Sequence, residues 1–332
     1  MRWLLALAML LAGVMGSAQP GAVSWYFGRY AGIDFGTGCQ TTQILTSAMH
    51  AREGCATATD DQGRLIAYSN GETVWNRFHR PMPNGRSLRG HVSSSQSALF
   101  VPLPGRTDSL LLFTTDAAEA NGQNGLRAVV ISRRADRGAG DVVGEEIVLH
   151  APSTERLLAV APCHRRWYWL ICREYGSNRF LCYRIDHQGL HREPVVSAAG
   201  LEPGSLSTHV LGCLAASPDG RHLALAHQSL NRIELFDFDP ETGRVSRPRL
   251  VGQVAAAYGV AFSPNGQLLY ATTRYGQGSA GVSLVQFRLD MLDALGTYPA
   301  HRIQIRDRAW ATFSWGRTSS SMWPASTTNT WA

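Results

Sequence analysis

The chain has 332 residues, of which 44% are apolar and 17% are charged, and its formal net charge is +6. All 31 basic residues are arginine, so Schiff-base and P-loop chemistry, which need lysine, are excluded. The arginines are scattered along the sequence, which argues against a nucleic-acid-binding surface. The apolar fraction is sufficient for a core, and the 33 glycines and 15 prolines favour many turns over long helices.

Residues 1–18 have the order of a secretory signal peptide. Arg2 precedes an apolar run from Trp3 to Met15, and small residues around Ala18 follow it. We expect cleavage after Ala18, and therefore a secreted or cell-surface protein. The run is too short to span a bilayer, and no later segment is apolar enough, so no transmembrane segment is predicted after cleavage.

The mature chain repeats one unit, in which two apolar strands flank a tight turn. The first hairpins turn near Gly63, Gly105 and His164. The unit is clearest in LAASPDGRHLALA and VAFSPNGQLLYAT, where proline sets φ early in the turn and glycine accepts a positive φ later. Pro218 and Pro264 are 46 residues apart, which is the period of a propeller blade.

This pattern predicts an all-β fold, a β-propeller that spans residues 19–305. We expect six to seven four-stranded blades, the last of them incomplete. Each blade can bury its faces only against its neighbours, so several must stack around one axis. A two-sheet sandwich is the alternative, but it gives no reason for a recurring Ser-Pro turn at this spacing.

Six cysteines follow the signal peptide, and they indicate redox chemistry only weakly. Cys172 and Cys182 lie on two strands around the turn EYGSN, and in an oxidising compartment a disulfide could join them. There is no CxxC motif, so zinc or thioredoxin-like chemistry has no support.

Two further motifs are interpreted as structural. GQGSAG, residues 276–281, matches the nucleotide-binding pattern GxGxxG, but strands flank it, and no helix follows on which a phosphate could sit. DFDPETG is interpreted as a hairpin turn and not as a calcium loop. No cofactor is predicted.

Polar residues are concentrated in the loops that lead into the inner strands. In a propeller these loops open on one face of the disc, near the axis, so we predict a ligand-binding ring at the channel mouth. Its candidate residues are Glu53, His79, His91, Gln96, Glu155, His209 and Tyr258. The alternative is that these residues only satisfy the hydrogen bonds of their own loops. No GxSxG, HExxH or SxxK motif indicates a catalytic residue.

Several long stretches resemble one family of large surface proteins. WYFGRYAGIDF, EGCATATDDQGRLIAYSNGETVWNR, MPNGRSLRGHVSSSQSALFVP and HAPSTERLLAV are similar to the N-terminal region of secreted Bacteroidota proteins. Those proteins carry a gliding-motility-associated C-terminal domain and leave the cell by type IX secretion. The resemblance runs from about Trp25 to Leu289. It implies a WD- or YVTN-like propeller at the cell surface and supplies no catalytic residues.

The regular pattern stops near Ile305, and residues 306–332 differ from the rest of the chain. Read in a shifted frame, this tail gives a further Pro-Asp turn and apolar strand where the next blade is due. Our hypothesis is that the tail is an out-of-frame reading of that blade, which the sequence of the gene would test.

The sequence thus predicts a non-enzymatic binding or scaffold module that acts in adhesion or on a surface polymer. Its partner would be a surface polymer or a protein, and neither is identified. The alternative is a lactonase-like hydrolase that uses a metal ion in the central channel. Its ligands would have to be Glu53, His91, Glu155 and His209, because a metal needs three or four inward carboxylates or imidazoles.

Overall fold

The computed structural model describes residues 24–35, 43–162, 166–273, 282–291 and 298–305. Its strands form six antiparallel sheets around a central channel, which confirms the all-β propeller and gives it six blades. No helix in these ranges is long and apolar enough to cross a membrane. The predicted signal peptide, the GQGSAG segment and the tail from residue 306 lie outside the described residues.

The first two sheets have three strands each, and the third has four. Sheet one contains β1 (Ser24–Phe27), β2 (Arg29–Asp34) and β3 (Gln43–His50). Sheet two contains β4 (Ala56–Thr59), β5 (Leu65–Ser69) and β6 (Val74–Asn76). Sheet three contains β7 (Ala98–Leu103), β8 (Arg106–Thr115), β9 (Leu126–Ser132) and β10 (Asp141–His150).

The remaining sheets have four or five strands. Sheet four contains β11 (Ser153–Val160), β12 (Tyr168–Glu174), β13 (Arg179–Asp186), β14 (Gly189–Leu190) and β15 (Val195–Ala198). Sheet five contains β16 (Leu214–Ala216), β17 (His222–His227), β18 (Arg232–Asp239) and β19 (Arg244–Gln253). Sheet six contains β20 (Ala257–Phe262), β21 (Leu268–Thr273), β22 (Val282–Arg288) and β23 (Ala300–Ile305).

The core lies between the sheets. One hydrophobic cluster joins each successive pair of sheets, from one–two to five–six. Strand β12 is buried over almost its whole length, because sheets three and five cover both of its faces. No such cluster joins sheets six and one within the residues described.

The two Ser-Pro turns have the same hydrogen bonds. In each turn the serine N–H donates to the carbonyl five residues on, and the glycine N–H donates back to the serine carbonyl at 2.9 Å. Ser217 and Ser263 also donate their hydroxyls to the Asp or Asn two residues later. Because the turns begin the hairpins of sheets five and six, which share a core cluster, the predicted repeat is confirmed.

In the described part of the chain, sheet one has no inner strand. In sheets two to six the chain enters the innermost strand at one end of the channel, which we call the mouth. The turn between β1 and β2 lies at the same end, because Gly28 accepts a hydrogen bond from Ala51 N just before β4 (2.8 Å). Strand β1 therefore runs toward the mouth, as second strands do. No strand in the described part of the chain takes the inner position beside it.

The predicted disulfide is wrong, because the two cysteines point to opposite faces of sheet four. Cys172 pairs with Leu181 across the β12–β13 ladder, and Cys182 pairs with Ile171. Directly opposed residues share a face, so a one-residue offset separates the two thiols. Cys172 contributes to the cluster with sheet three and Cys182 to the cluster with sheet five. Both cysteines are free.

We expect iodoacetamide to label neither Cys172 nor Cys182 in the native protein and to label both after unfolding. Burial raises the pKa of both thiols, so little thiolate is present. Peptide mass spectrometry with and without denaturant measures this labelling. Cys55, also a buried cysteine, serves as an internal comparison. A tryptic peptide pair joined through the two sulfurs would contradict the assignment.

Candidate functional site at the channel mouth

The channel is narrow where the inner strands converge. It encloses a cavity of about 40 Å³, lined by residues at or near the inner strands of sheets two to six. Most of its lining is backbone and small or aliphatic side chains, such as Ala98 and Leu157. A water molecule needs about 10–15 Å³ of such space, so the cavity has room for only a few.

Glu155 is the most enclosed carboxyl group at the mouth. It lies on β11 and is 0% exposed. Its Oε2 accepts hydrogen bonds from Ser95 N (2.8 Å) and Ser95 Oγ (2.6 Å), and its Oε1 accepts one from Ala118 N (2.7 Å). Burial raises the pKa of Glu155 to about 7, although these bonds oppose the shift. The side chain thus changes charge near neutral pH.

A second carboxyl group, Glu53, connects sheet two to sheet six at the mouth. The Tyr258 hydroxyl donates a hydrogen bond to Glu53 Oε2 and thereby links β20 to the loop before β4. Burial raises the pKa of Tyr258 well above its ordinary value, so the phenol stays a donor. Ser95 also interacts with Tyr258. Polar side chains therefore connect Glu53 to Glu155 by way of Tyr258 and Ser95.

Gln96 spans from sheet three to sheets four and five. Its Oε1 accepts hydrogen bonds from Leu214 N (2.8 Å) and Leu157 N (3.3 Å), and its Nε2 donates to Leu214 O (3.1 Å). The amide group therefore takes the place of a backbone partner for two neighbouring inner strands. These bonds engage the donor and acceptor atoms that a ligand would otherwise use.

Arg156 follows Glu155 on β11 and fixes the position of residues 207–212, the loop that leads into sheet five. Its guanidinium donates to three backbone carbonyls, those of His209 (3.1 Å), Leu211 (2.8 Å) and Ala226 (3.2 Å). The side chain is 1% exposed, and burial lowers its pKa to about 9, so it remains charged at neutral pH. Its role is to join sheets four and five beneath the mouth.

A buried polar cluster continues from Arg156 between sheets four and five. His227 Nε2 lies 2.9 Å from Glu234 Oε2, and Arg173 donates to Leu201 O (2.6 Å). Burial lowers the pKa of His227 to about 4, so the imidazole is neutral and donates to the carboxylate. Three sheet-five carbonyls and Glu234 thus compensate much of the charge that the arginines bury.

The structure brings together only part of the predicted ring. Gln96 lines the channel, and Glu53, Glu155 and Tyr258 interact at its mouth. His91 accepts from Ser93 N at Nδ1 (3.2 Å) within its own loop. His209 belongs to the short 3₁₀ helix Ser207–Val210, and its buried Nδ1 has no hydrogen-bond partner.

His79 does not belong to the ring. Its backbone has a positive φ of 60°, and its Nδ1 lies 3.1 Å from the Tyr68 hydroxyl. Its ring packs against Tyr26, so the residue lies between sheets one and two. Including His79 in the mouth was therefore wrong, because the turn after β6 directs it to this interface.

The nominated metal ligands do not form a metal site. Across the described ranges, no group of three or more His, Cys, Asp or Glu side chains is placed to hold a metal ion. The two carboxyl groups among the candidates, Glu53 and Glu155, accept hydrogen bonds from protein donors instead. Metal-assisted hydrolysis through these four residues therefore has no ligand set.

Sequence reasoning missed Arg156, although a signal for it existed. It stands in STERLLAV at the start of an otherwise apolar strand, and an arginine in such a strand needs buried acceptors. The missing information was the position of the Leu211 and Ala226 carbonyls, which are more than 50 residues away in sequence.

Comparison with known proteins indicates the fold. No family model and no curated protein matches the chain. The structure resembles a putative 6-phosphogluconolactonase from Bacteroides fragilis (17% identity, TM-score 0.53), with 83% of this chain and 77% of that one covered. A second one, from Bacteroides uniformis, has 15% identity and a TM-score of 0.52, with 83% and 78% covered.

Another β-propeller structure also matches. The β-propeller domain of Cps50 (Swd1) from Myceliophteria thermophila has 12% identity and a TM-score of 0.46, with 86% of each chain covered. The resemblance to gliding-motility-associated surface proteins receives no support from these comparisons and stays a prediction. What the matches share with this chain is the architecture, and the chain is a six-bladed β-propeller.

Proposed function

We propose that this propeller is a non-enzymatic binding or scaffold module that acts at the cell surface after export. The observation that carries the proposal is the state of the channel. Its cavity of about 40 Å³ is far below the roughly 300–1,000 Å³ of small-molecule sites. The carboxyl groups at its mouth already accept protein hydrogen bonds.

A hydrolase needs a polar group directed at the substrate. At this mouth the donors of Ser95 and Ala118 are directed at Glu155, and Gln96 is bonded to backbone. Such a network fixes the relative positions of the sheets and leaves the binding of partners to the outer surface. Adhesion or attachment to a surface polymer suits an exported disc of this kind.

The lactonase alternative predicts catalysis that depends on the mouth. We expect the purified protein to hydrolyse 6-phosphogluconolactone and gluconolactone no faster than buffer, with or without Ca²⁺ or Zn²⁺. In parallel, fluorescently labelled protein should bind saturably to intact cells of its source. The checks are a pH-stat assay and a cell-binding isotherm.

Glu155→Gln is the informative variant, and Glu145→Gln, at an exposed position of β10, is its control. Saturable lactone hydrolysis that Glu155→Gln abolishes and Glu145→Gln retains would refute the proposal. Absence of any saturable binding to cells would also count against it.

A further inference from the structure

A groove lies at the end of the disc opposite the mouth, between sheets two and three. Its volume is about 520 Å³, within the range of ligand sites. It lies beside the three-stranded sheet two, where the chain after β6 follows an irregular path in place of a fourth strand. The start of β8, at Thr107, and the turn between β9 and β10, at Gly138, form the facing wall.

Four arginines line this groove, although they are far apart in sequence. Two aspartates accompany them, so the charged lining has a net charge of +2. These residues are Arg64, Arg77, Arg133, Arg134, Asp60 and Asp108. The fold therefore gathers arginines that looked scattered along the chain into one cationic surface.

Internal contacts hold the guanidinium groups in place. Arg64 Nε and Nη2 both donate to Asp60 Oδ2 at 2.8 Å, and Arg134 Nε lies 2.9 Å from Asp108 Oδ2. Arg133 donates to the carbonyl of Thr107 (3.0 Å), and Arg77 donates across the groove to the carbonyl of Gly138. A guanidinium has five N–H donors, so each arginine keeps donors for a ligand.

We propose that this groove binds an anionic polysaccharide whose carboxylates are carried on uronic-acid units. The proposal rests on the function proposed above and names its ligand class. Planar guanidinium forks match planar carboxylates, and the Asp60 and Asp108 carboxylates already pair with Arg64 and Arg134 at the rim. The arginines come from both walls, which fits a chain of anionic groups rather than one compact ion.

Other polyanions fit less well. An acidic peptide would need an apolar pocket for an anchoring side chain. Of the large apolar residues that line the groove, Met82 and Ile131 are fully buried in the cluster between sheets two and three, and only Leu65 and Ile66 are partly exposed. Single-stranded nucleic acid would need aromatic rings for its bases to stack on, and no aromatic residue lines this groove in the described structure. A hydroxylated, carboxylated chain needs neither feature.

The test uses the full chain and an oligogalacturonate, with calorimetry as the measurement. We expect binding that weakens with added NaCl, and no binding of the methyl-esterified oligomer, which lacks the carboxylates. Arg64→Gln combined with Arg134→Gln should weaken binding by about tenfold, since each removes a charge-assisted contact. Both side chains are mostly exposed, so the variants should fold, and their melting temperatures verify this.

Arg247→Gln is the matched control. Its side chain is 81% exposed and lies 3.4 Å from Asp237 on sheet five, whereas that of Arg134 is 83% exposed and pairs with Asp108. We expect Arg247→Gln to bind like the wild type. Equal binding of the methyl ester, equal loss in Arg247→Gln, or tighter binding of polyglutamate or a DNA oligomer would overturn the inference.

The outcome separates this inference from the proposed function. If the groove variants bind source cells as tightly as the wild type does, the groove assignment fails and the binding module stands. If the wild type does not bind cells, or if it hydrolyses lactones through the mouth, the proposed function itself fails.

Discussion

Replacing Arg156 with Met should lower the free energy of unfolding by about 3 kcal/mol, because it leaves buried carbonyls without a donor. The guanidinium serves the carbonyls of His209, Leu211 and Ala226, and methionine can fill its volume but cannot donate. Removing a buried charge offsets part of the loss. Urea-induced unfolding, followed by tryptophan fluorescence, measures the change.

A surface arginine on the same sheet provides the control. Arg179 donates to Glu174 at 2.5 and 2.7 Å, but its side chain is half exposed, so Arg179→Met should cost less than about 1 kcal/mol. Arg156→Met should also speed amide hydrogen exchange in residues 207–212, whose carbonyls accept hydrogen bonds from Arg156. The exchange rates of β21 should stay unchanged. Equal losses in the two variants, or unchanged exchange in that loop, would contradict the assigned role.

The architecture could be predicted from sequence because turn chemistry is local. The Ser-Pro-Asp-Gly and Ser-Pro-Asn-Gly turns specify their own hydrogen bonds, and their spacing specifies the blade. The starting position of the first sheet could not be predicted in this way. Nothing within WYFGRYAGID indicates that β1 occupies a second-strand position, because this depends on where Ala51 meets Gly28.

Side-chain contacts between paired strands could not be predicted, because they depend on a strand register that the sequence does not specify. The turn EYGSN placed Cys172 and Cys182 on paired strands, but a shift of one residue decides whether two thiols meet. The same limit applies to the basic groove. Arg64 and Arg134 are 70 positions apart in the printed sequence and line one cavity only because the second and third sheets are adjacent.

The mouth residues that could be predicted from the sequence are those whose position near the channel axis follows from strand topology alone. Glu53, Glu155 and Tyr258 precede or begin inner strands, and every such position opens near the axis. His79 follows a third strand instead, and its left-handed backbone turns it toward Tyr26. The hydrogen bonds of the mouth residues could not be predicted, because the partner of Glu155 is Ser95, which lies 60 residues earlier in the sequence.

The pH dependence of stability should differ between the wild type and Glu155→Gln. The ordinary pKa of the group is 4.5, and burial raises the pKa of Glu155 to about 7 in the folded state. Between these values the folded protein keeps a proton that the unfolded chain releases, so stability falls as pH rises. The accumulated loss is about 3 kcal/mol above pH 7. Glutamine does not titrate and avoids this loss.

We therefore expect the variant to be less stable than the wild type by about 1–2 kcal/mol at pH 5, where it only loses the Ala118 bond. Above pH 8 it should be the more stable protein by a similar amount. The stability of the wild type alone would not isolate Glu155, because burial also lowers the pKa of His227 to about 4. Below pH 6.5 this histidine makes stability rise with pH, which opposes the effect of Glu155 and is the same in both proteins.

Glu174→Gln is the control for this titration. Burial acts to raise the pKa of Glu174, but hydrogen bonds from Ser177 and Arg179 outweigh it, so the net shift is downward. Its contribution to stability is therefore complete above pH 4.5 and is lost only in more acidic solution. Between pH 5 and 8.5 the difference between Glu174→Gln and the wild type should change far less than it does for Glu155→Gln, because only the coupling of Glu174 to His150 acts in this range. A constant difference for Glu155→Gln over the same range would mean that the mouth carboxyl is ionised throughout, and the account of its burial would then be wrong.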